Sequence, residues 1–572
     1  MVERPWLKNY TEGVDWHAPL EPAPLFKLLD DTAARYGDLP ALDFLGRRYT
    51  FAEIKRLADK AACGFARLGV TKGVKVGLFL PNCPQFVIAY FGILKAGGTV
   101  VNFSPLYSEP ELLAQVEDSE TDIMVTLDLN ALYPKLAAIF GKSRLRTLVV
   151  GNMPEVLPFP QNVLFPIFKR KDVAKVAWDA SHVRFRDLLQ NDGACPLVAI
   201  DPMEDVAVLQ YTGGTTGTPK GAMLTHANLY INAMQSKLAD PDLTPGQDRS
   251  LAALPLFHVF AMTGVMNLSI AAGIEMLMLP KFELEAAMKL IRRRKATIMM
   301  GVPTMYHAFL NHPLAAKGGL RSLRACISGG APLPVELKKA FEEVSGCKLV
   351  EGYGLTESAP VAALNPSDRA RAGSIGLPVP GTDIVIVDHD DPTREMPLGE
   401  IGELAIAGPQ VMKGYWKRPD ATARAIVNGR LLTGDLGYMD EDGYTYIIDR
   451  AKDLILVGGF NVFPRLVEEA IYTHPAVAEA VVIGVPDEHM GEIPKAFVTL
   501  KPGHEGLTAD ELISYLRTRI GKHELPREVE FRDQLPKTMI GKLSKKELIA
   551  EEKAKRAAAE AEQGPRKSAG GA

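Results

Sequence analysis

The sequence has few cysteines and no excess of positive charge. Its five cysteines show no CxxC or CxxH spacing, which indicates reduced, buried thiols and not a metal site or a disulfide framework. The 65 basic and 69 acidic residues give a net charge of -4, so there is no electrostatic reason to expect a nucleic-acid partner. Residues 1–16 lack the apolar run of a signal peptide, and we therefore expect a cytoplasmic protein.

Long uncharged runs are also scarce, with one exception at residues 252–274. This stretch contains no Asp, Glu, Lys or Arg and is long enough to cross a bilayer. Polar or helix-breaking residues such as Pro255, His258 and Asn267 interrupt it, and basic flanks are sparse. We favour a buried strand followed by a helix. A membrane receptor or transporter component that uses this stretch as its span is the non-enzyme alternative.

The 572 residues predict at least two domains. From Pro40 onward, β-like runs alternate with amphipathic helical runs, the first of which is opened by Thr50, and this alternation predicts a doubly wound parallel sheet. After about Gly373 the pattern changes to short strands and turns, typical of a small β-rich subdomain. Beyond residues 449–459, helices and strands suffice for a separate α+β domain. The charged, small-residue tail predicts disorder after an initial helix.

The stretch QYTGGTTGTPKG, residues 210–221, predicts a phosphate-binding loop. Its glycines free backbone N–H groups to converge on an anion, its threonine hydroxyls add donors, and Lys220 supplies positive charge. It lies between two β-like runs and lacks the Gly-Lys-Ser/Thr ending of the common P-loop, so we do not expect Lys220 to open a helix.

Three weaker motifs add candidate residues. In GYGLTES, Tyr353 is suited to stacking on a base, and Thr356 with Glu357 offers the oxygen ligands that Mg²⁺ prefers. In TGD, Asp435 is an acceptor suited to ribose hydroxyls. In PKTMIGK, Lys542 stands among other lysines, for which a solvated basic face is the default interpretation.

Taken together and in this order, YTGGTTGTPKG, EGYGLTE, TGD, DRAKDLILVGG and PKTMIGK resemble the signature series of the adenylate-forming (ANL) superfamily. The resemblance runs from about Leu25 to Ala550. Within that superfamily, SIGLPVPGTDIVIVD, AGPQVMKGYW and DLILVGGFNVFP look closest to bacterial long-chain fatty acid–CoA ligases. The resemblance implies ATP-dependent activation of a medium- or long-chain fatty acid through an acyl-adenylate. A thioester with coenzyme A then forms, and AMP and pyrophosphate are released.

The resemblance also implies roles for individual residues, with ATP, Mg²⁺ and coenzyme A as the groups that they bind. Lys542 would reach the substrate carboxylate and the α-phosphate, and Glu357 would hold Mg²⁺. The residues with implied catalytic roles are Lys220, His258, Thr356, Glu357, Arg450 and Lys542. The residues implied to bind the cofactors are Thr212, Gly213, Gly214, Thr215, Thr216, Gly217, Lys220, Gly330, Ala331, Glu351, Gly352, Tyr353, Gly354, Thr356, Asp435, Arg450, Lys452, Gly458, Gly459, Asn461 and Lys542. One departure is Gly213, where some members carry a serine.

In the superfamily, a small mobile C-terminal domain rotates between the two half-reactions about a hinge that aligns with Lys452. Rotation removes Lys542 from the site and brings Gly458 and Gly459 to the thiol channel, where a thin glycine backbone suits a narrow passage. We therefore expect an AMP-binding domain over 1–448, a hinge over 449–454, the C-terminal domain over 455–550 and a disordered tail over 551–572.

Several alternatives stay open at this point. A luciferase-like oxidative enzyme, a ligase for another carboxylic acid and a ligase that loads a separate carrier protein share the same motifs. Residues 156–171 place apolar side chains beside a basic cluster, which predicts peripheral docking at the inner face of the membrane. A loop covered by its own domain is the competing interpretation. The oligomeric state is not readable, a homodimer being one option.

Overall fold

The computed structural model describes residues 4–196, 198–212, 219–487, 489–538 and 541–563. The strands found there are, in chain order, β1 Pro40–Phe44, β2 Arg47–Thr50, β3 Lys75–Leu78, β4 Thr99–Asn102, β5 Thr121–Leu127, β6 Thr147–Gly151, β7 His182–Arg184, β8 Val206–Thr212, β9 Lys220–Thr225, β10 Arg249–Ala252, β11 Glu275–Met278, β12 Ile298–Gly301, β13 Ala325–Ser328, β14 Lys348–Gly354, β15 Val361–Leu364, β16 Leu377–Pro378, β17 Asp383–Val387, β18 Gly402–Ala407, β19 Gly414–Tyr415, β20 Ile426–Val427, β21 Arg430–Met439, β22 Thr445–Arg450, β23 Ile455–Val457, β24 Phe460–Val462, β25 Val477–Asp487, β26 Gly491–Leu500 and β27 Glu528–Phe531.

Helices connect most of the parallel strands. They are α1 Lys27–Tyr36, α2 Phe51–Arg67, α3 Pro84–Lys95, α4 Glu109–Ser119, α5 Tyr133–Phe140, α6 Gln161–Phe168, α7 Phe185–Leu188, α8 His226–Leu238, α9 Leu268–Ala272, α10 Leu284–Arg294, α11 Pro303–Leu310, α12 Val335–Ser345, α13 Pro419–Ala425, α14 Pro464–Tyr472, α15 Ala509–Leu516 and α16 Lys545–Gln563. A π-helical segment, Phe260–Asn267, runs directly into α9.

Two large sheets form the body of the molecule, as the alternating pattern predicts. One has nine strands in the order β16-β15-β14-β13-β12-β10-β11-β1-β2, and the other has eight in the order β19-β9-β8-β4-β3-β5-β6-β7. The central strands of both are parallel, and the antiparallel pairs lie toward the edges. Helical crossovers make such sheets doubly wound, so the predicted fold class is confirmed.

Helix α2 begins with a cap at Thr50, the residue that the sequence predicts to open it. The Thr50 hydroxyl accepts from the Glu53 N–H at 3.2 Å, and the Glu53 carboxylate accepts from the Thr50 N–H at 2.8 Å. This capping box satisfies free N–H groups in the first turn of α2. At Gly92 of α3 an added Cβ would lie 2.6 Å from the Ala61 Cβ of α2, so glycine permits the two helices to pack closely.

After the last strand of the nine-stranded sheet, the chain forms the β-rich subdomain and then the C-terminal unit. The subdomain has the strand order β17-β18-β21-β20, with β22 paired to β21, and the C-terminal sheet has the order β24-β23-β26-β25, with β27 paired to β26. The buried apolar cluster of the large unit extends to Tyr444, whereas separate clusters begin at Ile455. The Asp449 carboxylate joins the two units, because it accepts from the Arg450 N–H and from the Arg465 N–H of α14, each at 2.7 Å.

The structure bears on two expectations, one about a possible membrane span at residues 252–274 and one about the C-terminal tail. Residues 252–274 form the end of β10, a connecting segment and a short buried helix, and none of the helices in the described ranges is long and apolar enough to cross a membrane. The tail differs from expectation over 551–563, where α16 continues. Leu548 is buried, and Glu552 pairs with Lys495 at 3.0 Å, which anchors the helix to β26.

Candidate active site

The predicted phosphate loop joins two antiparallel strands. Thr212 at the end of β8 is paired with Lys220 at the start of β9, so the chain turns back without opening a helix. The predicted loop residues Gly213, Gly214, Thr215, Thr216 and Gly217 lie outside the described residues. The Lys220 ammonium stands 5.0 Å from the centre of the Tyr415 ring.

Tyr415 also connects this loop to the predicted magnesium ligand. Its hydroxyl donates to Glu357 Oε1 at 2.7 Å, and Glu357 lies with Thr356 in a single helical turn after β14. The described ranges contain no cluster of three or more acidic, histidine or cysteine side chains that would cage a metal by themselves. One carboxylate nevertheless fits Mg²⁺, which commonly binds through one or two carboxylates and completes its shell with substrate phosphates and water.

Tyr353, Asp435 and Arg450 form one connected group. The Tyr353 hydroxyl donates to Asp435 Oδ2 at 2.5 Å, and Arg450 Nε lies 2.8 Å from Asp435 Oδ1. Asp435 and Arg450 face each other across β21 and β22, which explains their contact. Burial, with the adjacent Asp435 charge, holds the pKa of Tyr353 far above its usual range, so the tyrosine stays a neutral donor.

Lys542 reaches this group from the C-terminal unit. An added Cβ on Gly330 would lie 2.7 Å from Lys542 Cε and 3.2 Å from its Nζ, and the φ of Gly330 is +79°. The Thr304 hydroxyl donates to the Gly541 carbonyl at 2.9 Å and holds the same segment. Burial and the nearby Arg450 charge lower the pKa of Lys542 to about 8, against the opposing effect of Asp435.

His258 is affected by the positive charge of Lys542. Burial, and then the Lys542 ammonium, lower the pKa of His258 to about 3, so its imidazole is neutral at physiological pH. Its Nδ1 accepts weakly from the Phe260 N–H at 3.3 Å, which leaves the proton on Nε2. A neutral imidazole beside a buried ammonium is a polar contact and not a second positive charge.

Glycine is required at Gly354, and a side chain at Gly352 would be tightly packed. At Gly354 an added Cβ would lie 1.9 Å from the Pro360 carbonyl oxygen. Gly352, just before Tyr353 on β14, would place a Cβ 3.2 Å from Ile327 and Leu364 side-chain atoms. Glu351 is buried on the same strand, and burial raises its pKa to about 7.

The remaining predicted residues lie on the C-terminal side of the site. Lys452 is in the single turn Ala451–Asp453, where burial and Arg450 lower its pKa. Gly458 and Gly459 have φ of +57° and +87° and form the β23–β24 turn, in which the Gly458 N–H donates to the Met490 carbonyl at 2.7 Å. Asn461 is exposed on β24, and among the described residues no hydrogen bond joins it to the group around Asp435. Its nucleotide contact stays a prediction.

Sequence reasoning missed Thr304 and Tyr415. Thr304 follows the carboxyl end of β12, the edge of a parallel sheet at which ligands bind, and that position was a usable signal. Tyr415 lies within the AGPQVMKGYW stretch, and nothing in the sequence distinguished it there as a site residue.

The site thus gathers a tyrosine–aspartate–arginine group, two lysines and one glutamate at the junction of two units, as a nucleotide-binding enzyme would require. Residues 29–416 match the family model described as AMP-binding enzyme, and residues 466–542 match the AMP-binding enzyme C-terminal domain. The chain belongs to the AMP-binding enzyme family.

Among its relatives, the long-chain-fatty-acid–CoA ligase of Bacillus subtilis (strain 168) is 43% identical over 555 residues, covering 96% of this chain and 98% of that protein. The crystal structure of ATP-bound MatB from Rhodopseudomonas palustris has a TM-score of 0.82 at 30% identity and covers 94% of this chain and 100% of the other. The anthranilate CoA ligase AuaEII in complex with anthranoyl-AMP has a TM-score of 0.83 at 27% identity, covering 94% of this chain and 99% of the other.

Proposed function

We propose that this protein is a long-chain fatty acid–CoA ligase of the AMP-forming type, which uses ATP, Mg²⁺ and coenzyme A. The observation that carries the proposal is the position of Lys542 against Gly330, beside the Tyr353–Asp435–Arg450 group. The near full-length similarity to a ligase of that name supports the choice of substrate class.

In the first half-reaction, a carboxylate oxygen of the fatty acid attacks the α-phosphorus of ATP, and the bond to pyrophosphate breaks. Both reactants are anions, so the site must supply positive charge and orientation rather than a protein nucleophile. Lys542 does this at the carboxylate and α-phosphate, and Lys220 with the loop after Thr212 does it at the β- and γ-phosphates. Mg²⁺ held at Glu357 would offset negative charge on the pyrophosphate side.

The nucleoside is held by the group around Asp435. The carboxylate, fixed by Tyr353 and Arg450, accepts from ribose hydroxyls, and the backbone at Gly330 and Ala331 lines the adenine site. His258, kept neutral, borders the acyl and nucleotide sites and donates through Nε2 without adding a competing cation.

In the second half-reaction, the thiolate of coenzyme A attacks the acyl carbon, and the carbon–oxygen bond to AMP breaks. We place a hinge at residues 449–454, between an AMP-binding domain over 1–448 and a C-terminal domain over 455–550. Rotation there would withdraw Lys542 and bring Gly458 and Gly459 to the thiol channel. The separate apolar cores on either side support this division.

The test is a screen of pyrophosphate release over saturated acids of graded length, followed by detection of acyl-CoA after coenzyme A is added. We expect both products with medium- and long-chain acids, and no pyrophosphate when ATP is replaced by a non-hydrolysable α,β-methylene analogue. Pyrophosphate release with another class of carboxylic acid, and none with fatty acids, would refute the substrate assignment.

We also propose a cytoplasmic enzyme that associates peripherally with the inner face of the membrane. Long-chain acids partition into bilayers, so an enzyme that collects them gains from docking there. The exposed helix α6 and the basic residues Lys169, Arg170 and Lys171 after it support this part of the proposal.

A further inference from the structure

A basic cavity lies between α10 and the segment 314–322, and none of its lining residues is among those that we assign to the active site. Its volume is about 650 Å³. Its lining has six basic side chains and one acidic one, and the basic ones are Lys289, Arg292, Arg293, Lys295, Lys317 and Arg321. All six are exposed. The acidic one, Glu285, already pairs with His312 at 2.9 Å.

None of the six basic side chains forms an ion pair with any part of the chain that the structure describes. Their neighbour Arg294 shows the contrast, because it is bound by Glu275 at 2.9 Å and by Asp43. The helix dipole favours cations at the end of α10, which accounts for Arg292, Arg293 and Lys295. It does not account for Lys289 in the middle of the helix, or for Lys317 and Arg321 on a different segment. Like charges gathered around one concavity repel one another, so the arrangement is suited to an anion from outside the chain.

A second exposed feature is the apolar helix α6. No side chain of α6 is buried, and the exposed fractions of Ile167 and Phe168 are 66% and 77%. Phe159, just before the helix, is 82% exposed. Apolar side chains exposed together, and followed at once by basic residues, mark an interaction surface and not ordinary scatter.

The turn between β1 and β2 connects the two features. An added Cβ at Gly46 would lie 3.8 Å from Pro158 Cγ, in the segment that leads into α6, and 3.9 Å from Arg293 Nη2, in the cavity lining. Leu45, in the same turn, is exposed and apolar. The turn therefore lies between the segment that leads into α6 and the lining of the cavity, and we refer to α6, this turn and the cavity lining together as the docking face.

We propose that this face docks on an anionic lipid bilayer, with α6 inserted among the acyl chains and the basic cavity holding the phosphates of lipid headgroups. Apolar burial and attraction to anionic lipids act together in interfacial helices, and the cavity supplies the second of these beside α6. The inference rests on the proposed function, since a bilayer-borne acid is what makes docking useful. It adds a headgroup-binding site outside the catalytic centre.

The experiment measures partition of the full-length protein onto vesicles by sedimentation. One set of vesicles contains phosphatidylglycerol and phosphatidylcholine in equal parts, and the other contains phosphatidylcholine alone. The cavity variant is Arg292→Gln/Lys317→Gln/Arg321→Gln. Each cation near an anionic surface contributes about fivefold to binding. We expect the triple variant to bind anionic vesicles on the order of a hundredfold more weakly.

Two further variants separate the parts of the face. Ile167→Ser/Phe168→Ser should weaken binding to both kinds of vesicle, because it removes insertion and not charge. A matched control, Lys501→Gln/Arg517→Gln/Lys522→Gln, removes the same charge from exposed positions of the C-terminal unit and should bind as the parent does. Melting temperatures equal to that of the parent verify that the variants are folded.

Equal binding of the parent and the cavity variant to anionic vesicles would overturn the proposal. So would equal loss in the control variant, which would point to net charge alone. Specific binding of inorganic phosphate that the cavity variant loses, with no difference between the parent and that variant on anionic vesicles, would assign the cavity to a free phosphate and also overturn it. Pyrophosphate release with a water-soluble acid is measured alongside, so that failure of docking is distinguished from failure of the ligase assignment.

Discussion

Raising the pH from 7 to 9 should remove most of the positive charge at Lys542 and slow adenylation about tenfold. With its pKa lowered to about 8 by burial and Arg450, the ammonium is protonated in about nine-tenths of molecules at pH 7 and about one-tenth at pH 9. The charged form is the active one, because it attracts the carboxylate and stabilises charge at the α-phosphate. Activity is therefore retained below the pKa and lost above it.

The assay is kcat/KM for ATP in pyrophosphate release at a fixed concentration of acid and Mg²⁺, because this ratio reports ionisations of the enzyme before ATP binds. The same pH series is run for thioester formation from synthetic acyl-AMP and coenzyme A. That rate should not fall, because Lys542 has left the site and the thiol ionises more readily as pH rises.

Lys542→Arg is the informative control. A guanidinium stays charged across this range, so the variant should have a lower but nearly level profile between pH 7 and 9. A wild-type profile that is level to pH 9 would refute the pKa argument. An equal fall in the wild type and the arginine variant would show that another group titrates.

Four further outcomes follow from the same site. Lys542→Ala should lower adenylation on the order of 10²–10³-fold, as removal of a preorganised charge does, while acyl-AMP is still converted to acyl-CoA; equal loss of both steps would contradict the assigned roles. Lys452→Pro should yield acyl-AMP and pyrophosphate without acyl-CoA, because proline fixes φ at the hinge; an unchanged acyl-CoA rate in a normally melting variant would place the hinge elsewhere. Affinity should rise with chain length by ~0.8 kcal/mol per buried CH₂ until the acyl site is filled, and acetate as the best substrate by kcat/KM would exclude this. Gly330→Ala should slow adenylation, because its Cβ would push Lys542 aside and alanine is strained at a φ of +79°; the loss should be smaller in a Lys542→Ala background, and a double-mutant cycle that shows equal losses would exclude the contact with Lys542 as a cause.

Local features of the fold were predictable because they depend on neighbours in the sequence. The Thr50 cap needs only Glu53 three positions later, and the loop after Thr212 is flanked by β-like runs on both sides. The candidate residues were predictable mainly through the family resemblance, since TGD or a lone lysine is common in proteins.

Contacts between residues that are far apart in the sequence were not predictable. That Lys542 lies against Gly330, or that Tyr415 donates to Glu357, depends on how whole units pack. The tail was misjudged because its helix has little apolar surface. Its first turns are anchored by one buried leucine and by a glutamate that reaches a lysine on β26, a pairing that composition does not reveal.

The Asp449 carboxylate accepts backbone N–H groups from either side of Lys452, one at Arg450 and one in the first turn of α14. If the chain turns at Lys452, as the proposed hinge requires, these two donors move apart and the bond from the Arg465 N–H to Asp449 breaks. Loss of such a helix cap costs about 0.5–2 kcal/mol, which corresponds to about a two- to thirtyfold change in a population ratio. In the proposed cycle, Asp449 therefore stabilises the adenylate-forming arrangement relative to the thioester-forming one. The strength of its bond to the Arg465 N–H would then set the ratio of the two arrangements.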